Sequence, residues 1–376
     1  MNDIEETVKS DRPINDFVDL FLLVKQLKAS DLHLQVGSPP ILRIGGVPKR
    51  LDFESISPQK MDSWVRQILS LEKYESFMKR KDFDCAFSVP NEGRMRVNLY
   101  FQRGSVGLAG RLVQTRIPTV EELHLPLVLK TIAGFHDGLV IIAGVTGSGK
   151  STSLAAMIEH INQTRSCHIL TIEDPIEYLY RNKNAFINQR EVGIDTDSFK
   201  DSLRYALRED PDIMLIGEMR DPETIQYGLN AAETGHLVLG TLHSSNAAST
   251  IGRIIDLFPP DQHNQIRQAL QFNLRAIICQ KLLPCIKPGI PRVPAVEVMI
   301  SDPTIRELIR KGEDVKIHNA IRAGSSIGMQ DFNKSILYLV QNGFISEETA
   351  LRISPNPEAF RMNMKGIFLD DEKAIF

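Results

Sequence analysis

"GVTGSGKST", residues 144–152, decides how the rest of the chain is read. Gly144 and Gly149 enclose four residues and are followed directly by Lys150-Ser151, which is the spacing of a phosphate-binding loop. Upstream, Gly138-Leu139-Val140-Ile141-Ile142-Ala143 is a short apolar run suited to a buried parallel strand; downstream, Leu154, Met157, Ile158 and Ile161 recur at helical spacing. Strand, glycine loop and helix therefore come in the order the motif needs. Residues without a β-carbon let the backbone curl until successive N–H groups face an anion, and the helix that follows adds its positive dipole end. Phosphate binding is assigned to Gly144, Thr146, Gly147, Ser148, Gly149, Lys150, Ser151 and Thr152. Lys150 reaches the β/γ-phosphates, and Ser151 is placed to hold Mg²⁺.

A length of 376 residues, with 42% hydrophobic and 24% charged residues, fits a soluble globular protein of two domains. The net charge of −3 and the lack of a long basic run argue against an extended nucleic-acid surface. No apolar stretch approaches the roughly 20 residues needed to span a bilayer, and MNDIEETVKSDRP is too polar for a signal peptide. A cytosolic protein without membrane insertion is expected. Cys85, Cys167, Cys279 and Cys285 lack paired CxxC spacing and read as reduced packing residues.

Residues 1–15 read as a mobile tail. A helix carrying Phe17, Leu20, Phe21, Val24 and Leu27 on one face follows, with Asp16 as its cap. "SDLHLQVGSPPILRIGGVPKRL" alternates and turns like a hairpin, residues 58–80 form a helical pattern, and "MRVNLYFQRGSVGLAGRLV" is again strand-rich. An α+β domain over 16–115 is expected, with a linker over 116–126. An α/β domain follows over 127–355, with strands at 138–143, 168–173, 213–217 and 237–242 and a mostly helical region at 260–350. Residues 356–376 form a C-terminal extension.

"HILTIEDPIEYLY" places Glu173, Asp174 and Glu177 at a strand end, where open α/β sheets present ligands. Such carboxylates polarise water, hold a metal's water shell, or simply belong to a solvated, capped turn. "DPDIMLIGEMRD" supplies a second strand ending in Gly217-Glu218; whether Glu218 touches Mg²⁺ or orients the attacking water is open at this point. "ETGHLVLGTLH" sets His236 and His243 at the two ends of one buried strand, and their spacing does not match zinc ligands. His243 falls at the carboxyl end, within reach of a γ-phosphate. Arg94, Arg96, Arg103 and Arg111 are either solvated strand residues or cations supplied to a neighbouring subunit's transition state.

Taken together, "SDLHLQVGSPP", "GVTGSGKST", "TIEDPIEYLY", "LREDPDIMLIGEMRDPET" and "AAETGHLVLGTLHS" resemble the type IV pilus retraction ATPases, the PilT/PilU branch of the secretion and pilus motor family. The likeness covers about residues 16–345. It implies a PAS-like α+β N-terminal domain followed by a RecA-like P-loop NTPase domain with a helical C-terminal region. It further implies a homohexamer that binds ATP and Mg²⁺ between subunits, at the inner face of the cytoplasmic membrane. The motion would pass to an inner-membrane pilus platform protein, with a paralogous pilus motor ATPase as a further partner. By position, the resemblance makes Lys150 and Ser151 Walker A residues, Glu177 the water-activating carboxylate and Glu218 the Walker B acid. His236 and His243 become the histidine box, and Arg94, Arg96 and Arg111 the arginines that reach a neighbouring nucleotide. "TIRELIRKGE" at 304–313 departs from the PilT pattern "AIRNLIRE" at Thr304, Glu307 and Lys311, and with the longer C-terminus leans toward PilU. Only Cys279 and Cys285 lie where assembly ATPases carry a tetracysteine element, which weakens the reading as a pilus assembly or type II secretion ATPase.

Overall fold

Strand alternation sets the first layer of the structure, because Met95, Val97 and Leu99 are buried while Arg94, Arg96 and Asn98 between them are not. The computed structural model describes residues 7–9 and 13–367, which divide into two units. The first holds the chain up to Arg116 together with Glu177–Leu179; the second holds Ile117–Ile176 and the chain from Tyr180 onward.

The first unit is a seven-stranded mixed sheet made of β1 (Thr7–Val8), β2 (Ala29–Gln35), β3 (Ile41–Ile44), β4 (Val47–Leu51), β5 (Asp82–Val89), β6 (Gly93–Gln102) and β7 (Ser105–Leu112). Its order is β1-β4-β3-β2-β7-β6-β5, and all pairs are antiparallel except β1 with β4. Helices pack Phe17, Phe21, Trp64 and Phe77 against Leu32, Leu34 and Leu42 of the sheet. Asp16 caps the first helix by accepting from the Asp19 N–H at 2.8 Å, as its position in the sequence indicates. The single helical pattern of 58–80 resolves into two helices, Pro58–Ile68 and Leu71–Arg80, because Ser70 leaves the helix and caps the second one. Thr7 and Val8 pair with Arg50 and Leu51, so this part of the expected mobile tail is tied to the sheet; residues 1–6 and 10–12 lie outside the described residues.

The second unit is built on β8 (Gly138–Ala143), β9 (His168–Glu173), β10 (Phe186–Glu191), β11 (Ile213–Ile216), β12 (Leu237–Leu242), β13 (Leu274–Pro284) and β14 (Arg292–Ile300). The order β10-β9-β11-β12-β8-β13-β14 is parallel throughout except for the β13–β14 hairpin. Leu139, Ile141 and Ala143 enter one apolar cluster and Val140 and Ile142 the other, so β8 is covered on both faces. The expected helical region at 260–350 needs correction: residues 274–300 form that hairpin. β13 lies beside β8 and is buried on both faces from Ala276 to Gln280, so Ala276-Ile277-Ile278-Cys279 is an apolar run without the period-2 signature of a half-exposed strand. The stretch expected as a linker also packs within this unit, where Val120 and Leu125 are buried. In the C-terminal extension, Pro357–Met364 is a helix anchored by a fully buried Phe360, whereas residues 368–376 lie outside the described residues.

Glu297 on β14 is a carboxyl inside this core, opposite Cys279 and accepting from the Ala247 N–H at 2.8 Å. Burial pushes its pKa up to about 7; the Ala247 N–H pulls it down, Asp331 pushes it further up, and Lys281 pulls it down. A folded pKa above the ordinary 4.5 means that the native state binds the extra proton, so this group's contribution is present below pH 4.5 and is lost as pH rises through about 7. Replacing Glu297 with Gln should therefore be nearly neutral at pH 4.5 and stabilising at pH 8, by up to about 3 kcal/mol. Thermal melts of both proteins across that range check this; a stability difference that does not change with pH would contradict it.

Candidate functional site

The helix Lys150–Thr164 begins directly after the loop that leaves β8, and its N-cap, Gly149, has φ of 90° and no side chain to cap the first turn. Many other helices are capped by a side chain, such as Asp16, Ser57, Ser70, Ser198, Asp221 or Asn246, although Val128–Ala133, His263–Asn273 and Ile317–Ala323 also lack one. The bare start leaves the first N–H groups of this helix for an external anion. A β-carbon at position 149 would also lie 2.7 Å from Nε2 of Gln280. Ser148 places a buried hydroxyl without a hydrogen-bond partner inside the loop, while Thr146 and Gly147 are exposed at its tip. Lys150 Nζ donates to the carbonyls of Gly144 at 2.8 Å and Val145 at 3.2 Å. Ser151 and Thr152 are half-buried in the first turn of the helix.

Two neighbouring strands deliver their carboxyl ends to the same side. β11 is followed by Gly217, where a side chain would be crowded, because a β-carbon there would stand 3.0 Å from the Ile172 carbonyl and 3.1 Å from Glu173 Cα. That close packing explains why Glu218 follows the strand after one intervening glycine. Arg220 clamps Glu218 through two contacts of 2.6 Å, and His243 Nε2, just past β12, lies 3.2 Å from Oε1. Burial pushes the Glu218 carboxyl up, but the Arg220 hydrogen bond and charge, with His243 and Lys150 beyond them, hold it below the ordinary carboxylate range. Glu173, at the end of β9, accepts from Thr171 Oγ1 at 2.6 Å and from Gln189 Nε2 at 3.1 Å.

Beside Gly149 and Thr152 a cavity of about 360 Å³ opens, lined also by Leu123, Gln280, Leu282 and Ile290. Gln280 spans the loop: its Nε2 donates to the Ser148 carbonyl at 2.7 Å, and its Oε1 accepts from Ser153 Oγ at 2.7 Å. Neither Gln280 nor Arg220 stands out in the sequence. Gln280 falls in a run read as helical, and Arg220 is one of many arginines until the strand end places it on Glu218.

The other site residues read from the sequence lie elsewhere. His236 stands at the amino end of β12, with Nδ1 2.9 Å from the Ala231 carbonyl and 3.1 Å from Thr234 Oγ1. The strand Leu237–Leu242 separates it from His243, about 20 Å at the rise of an extended chain. Within one chain His236 therefore belongs to a helix–strand turn, at the opposite end of β12 from the cluster around Glu218, as its place in the sequence indicates. Glu177 is exposed and belongs to the segment grouped with the first unit, where the Leu179 N–H donates to the Gln114 carbonyl at 2.9 Å. In that unit Arg96 on β6 stands directly across from Arg111 on β7, and Arg94 is two residues along the same strand. Arg111 donates to Asp31 Oδ1 at 2.7 Å, and Arg43 approaches Oδ2 at 3.5 Å. Burial pushes the Asp31 carboxyl up, yet hydrogen bonds from Arg111 and Ser30 and the charges of Arg111 and Arg43 hold it below its usual range. Arg103 forms the β6–β7 turn with Gly104, both at positive φ. Among the described residues, no group of three or more His, Cys, Asp or Glu side chains is arranged to hold a metal ion, and Cys279 is fully buried with its thiol pushed well up by that burial.

A largely parallel sheet whose interior strand β8 feeds a glycine loop and then a helix N-terminus defines a phosphate-loop nucleotide-binding protein. Residues 119–310 match the family model described as Type II/IV secretion system protein. The chain is 42% identical to the "Type IV pilus retractation ATPase PilT" of Pseudomonas aeruginosa, over 92% of its own length and 100% of that protein's. It is 39% identical to the "Type IV pilus ATPase PilU" of the same organism, over 93% and 91%. The solved structure of the pilus retraction motor PilT with bound ADP superposes with a TM-score of 0.82 at 44% identity, covering 91% of this chain and 98% of that one. The chain belongs to the PilT/PilU branch of the Type II/IV secretion system protein family.

The Arg220 clamp makes a direct prediction. In Arg220→Gln the Glu218 carboxyl loses its main compensation for burial, so its pKa should rise above the wild-type value. Carboxyl-carbon NMR titration reads this, and an unchanged midpoint would show that Arg220 does not hold the charge.

Proposed function

We propose that this protein is a motor ATPase that couples ATP hydrolysis to retraction of a type IV pilus. The observation that carries the proposal is a complete loop-and-carboxylate site, with Lys150, Ser151, Glu218 and His243 all present, in a chain similar over 92% of its length to PilT. The phosphates would lie in the loop 144–149, contacted by Thr146, Gly147 and Ser148, with Lys150 exchanging its loop carbonyls for β/γ-phosphate oxygens. Ribose and base would fill the cavity beside Thr152. The only protein oxygens assigned near the metal position are the Ser151 hydroxyl and the Glu218 carboxylate. A donor set this sparse suits Mg²⁺, which keeps most of its shell as water and phosphate oxygen and there supplies charge neutralisation. Glu218, kept ionised by Arg220, orients or deprotonates the attacking water, and His243 lies beside it, where the γ-phosphate is lost.

The rest of the reading follows from family resemblance. The first unit is PAS-like (16–115) and the second RecA-like (127–355), and the subunits form a homohexamer at the inner face of the cytoplasmic membrane. Force passes to an inner-membrane pilus platform protein, so that the motor needs no membrane-spanning helix of its own; among the described residues no helix is long and apolar enough to cross a membrane. By the resemblance, Glu177 is the alternative to Glu218 as the water-activating carboxylate, His236 completes the histidine box with His243, and Arg94, Arg96 and Arg111 reach a neighbouring subunit's nucleotide. A second reading, an accessory PilU-like subunit paired with a paralogous motor, draws on the "RKGE" stretch at 310–313 and on the similarity to PilU.

Purified protein with Mg²⁺ should release phosphate from ATP, and Glu218→Gln should bind ATP yet turn over at least about 10²-fold more slowly. If the wild-type protein releases no more phosphate than Lys150→Ala, the ATPase reading is wrong. The arginines are tested by mixing. Arg94→Ala/Arg96→Ala should lose about 10³-fold in rate and regain activity when mixed with Lys150→Ala, since live loops then meet live arginines. A fully active double-arginine variant would remove this pair from the site.

A further inference from the structure

Gln280 is a buried amide with both ends engaged, and both engagements flank the anion-binding turn. Nε2 holds the Ser148 carbonyl on one side of Gly149, and Oε1 holds the Ser153 hydroxyl one helical turn beyond it. Its backbone carbonyl is equally close to the loop, since a β-carbon on Gly144 would stand 2.6 Å from it. β13 thus backs the loop at both ends through a single residue. A planar trans peptide points its C=O and N–H in opposite directions. Drawing the Ser148 carbonyl toward β13 therefore turns the Gly149 N–H away from that strand, and the Ser153 bond locks the amide so that it cannot rotate out of this role.

We propose that Gln280 is a positioning residue for phosphate binding: it sets the orientation of the Ser148–Gly149 peptide and so pre-aligns the loop N–H groups before nucleotide arrives. The inference rests on the nucleotide-hydrolysing reading above. A loop that must be ordered by the ligand itself binds more weakly than one already held in place. Because the loop grips the phosphates in the ground state and in the transition state alike, losing the clamp should raise KM and leave kcat nearly unchanged.

The test uses the full chain, with ADP binding by calorimetry, ATP steady-state kinetics and thermal melting. Gln280→Leu keeps an apolar filler of similar length but releases both partners, and should weaken ADP binding and raise KM for ATP by about tenfold, with kcat within threefold. Ser153→Ala leaves the Ser148 bond and frees only the amide's rotation, so its effect should be smaller, in the same direction, and not additive with Gln280→Leu. Gln280→Leu/Ser153→Ala removes the hydroxyl left unpaired, and should recover melting temperature without recovering ADP affinity. Should Gln280→Leu be unfolded, the double variant carries the same comparison, and Ser153→Ala alone still reads the amide's rotation. A folded Gln280→Leu with unchanged KM and ADP affinity overturns the proposal, as does a double variant whose affinity returns together with its stability. A wild-type chain that binds no ADP would sink the nucleotide reading itself, and is thereby distinguished from failure of the clamp.

Discussion

Everything at the site depends on β8 being held in parallel register between β12 and β13. A strand buried on both faces cannot slide without exposing one apolar row or the other, so the point at which the chain leaves the sheet, at Gly144, is set by packing on the whole strand. The loop inherits that rigidity. The sheet order also decides which residues share the site, because β11 and β12 run in the same direction as β8 and present Glu218 and His243 at the same edge. The same logic sends His236 to the far edge.

Charge is arranged to be used at that edge and avoided in the core. Glu218 is partly buried, yet Arg220, His243 and Lys150 keep it ionised. Lys150 meanwhile satisfies its ammonium on loop carbonyls, contacts that phosphate oxygens would replace, in the proposed function, at little net change in hydrogen bonding. Glu297 shows the opposite case, a carboxyl whose burial outweighs its partners. Its N–H partner, Ala247, opens the helix that follows His243, so a carboxyl from β14 ties down the segment after the histidine that faces Glu218.

Much of this was legible in the sequence where one local rule is enough. The loop spacing of 144–152, the apolar strands β8, β9, β11 and β12, and the Asp16 cap each follow from a few adjacent residues. β10 was not legible because it is an edge strand whose sequence, Phe-Ile-Asn-Gln-Arg-Glu, is mostly polar. β13 was missed for the opposite reason, since two-face burial erases the alternation that separates strand from helix. With β13 misread, Gln280 could not be seen against a loop more than a hundred residues earlier. Arg220 was hidden differently: nothing in "GEMRD" tells a solvated arginine from one folded back on Glu218.

The central claim is that nucleotide turnover at this loop drives pilus shortening. Fluorescence microscopy of labelled pili in cells lacking the gene tests it most directly, with complementation by wild type and by Glu218→Gln. The account predicts persistent filaments that do not shorten, rescued by the wild-type gene and not by the variant. Cells without surface pili, or shortening restored equally by Glu218→Gln, would contradict it.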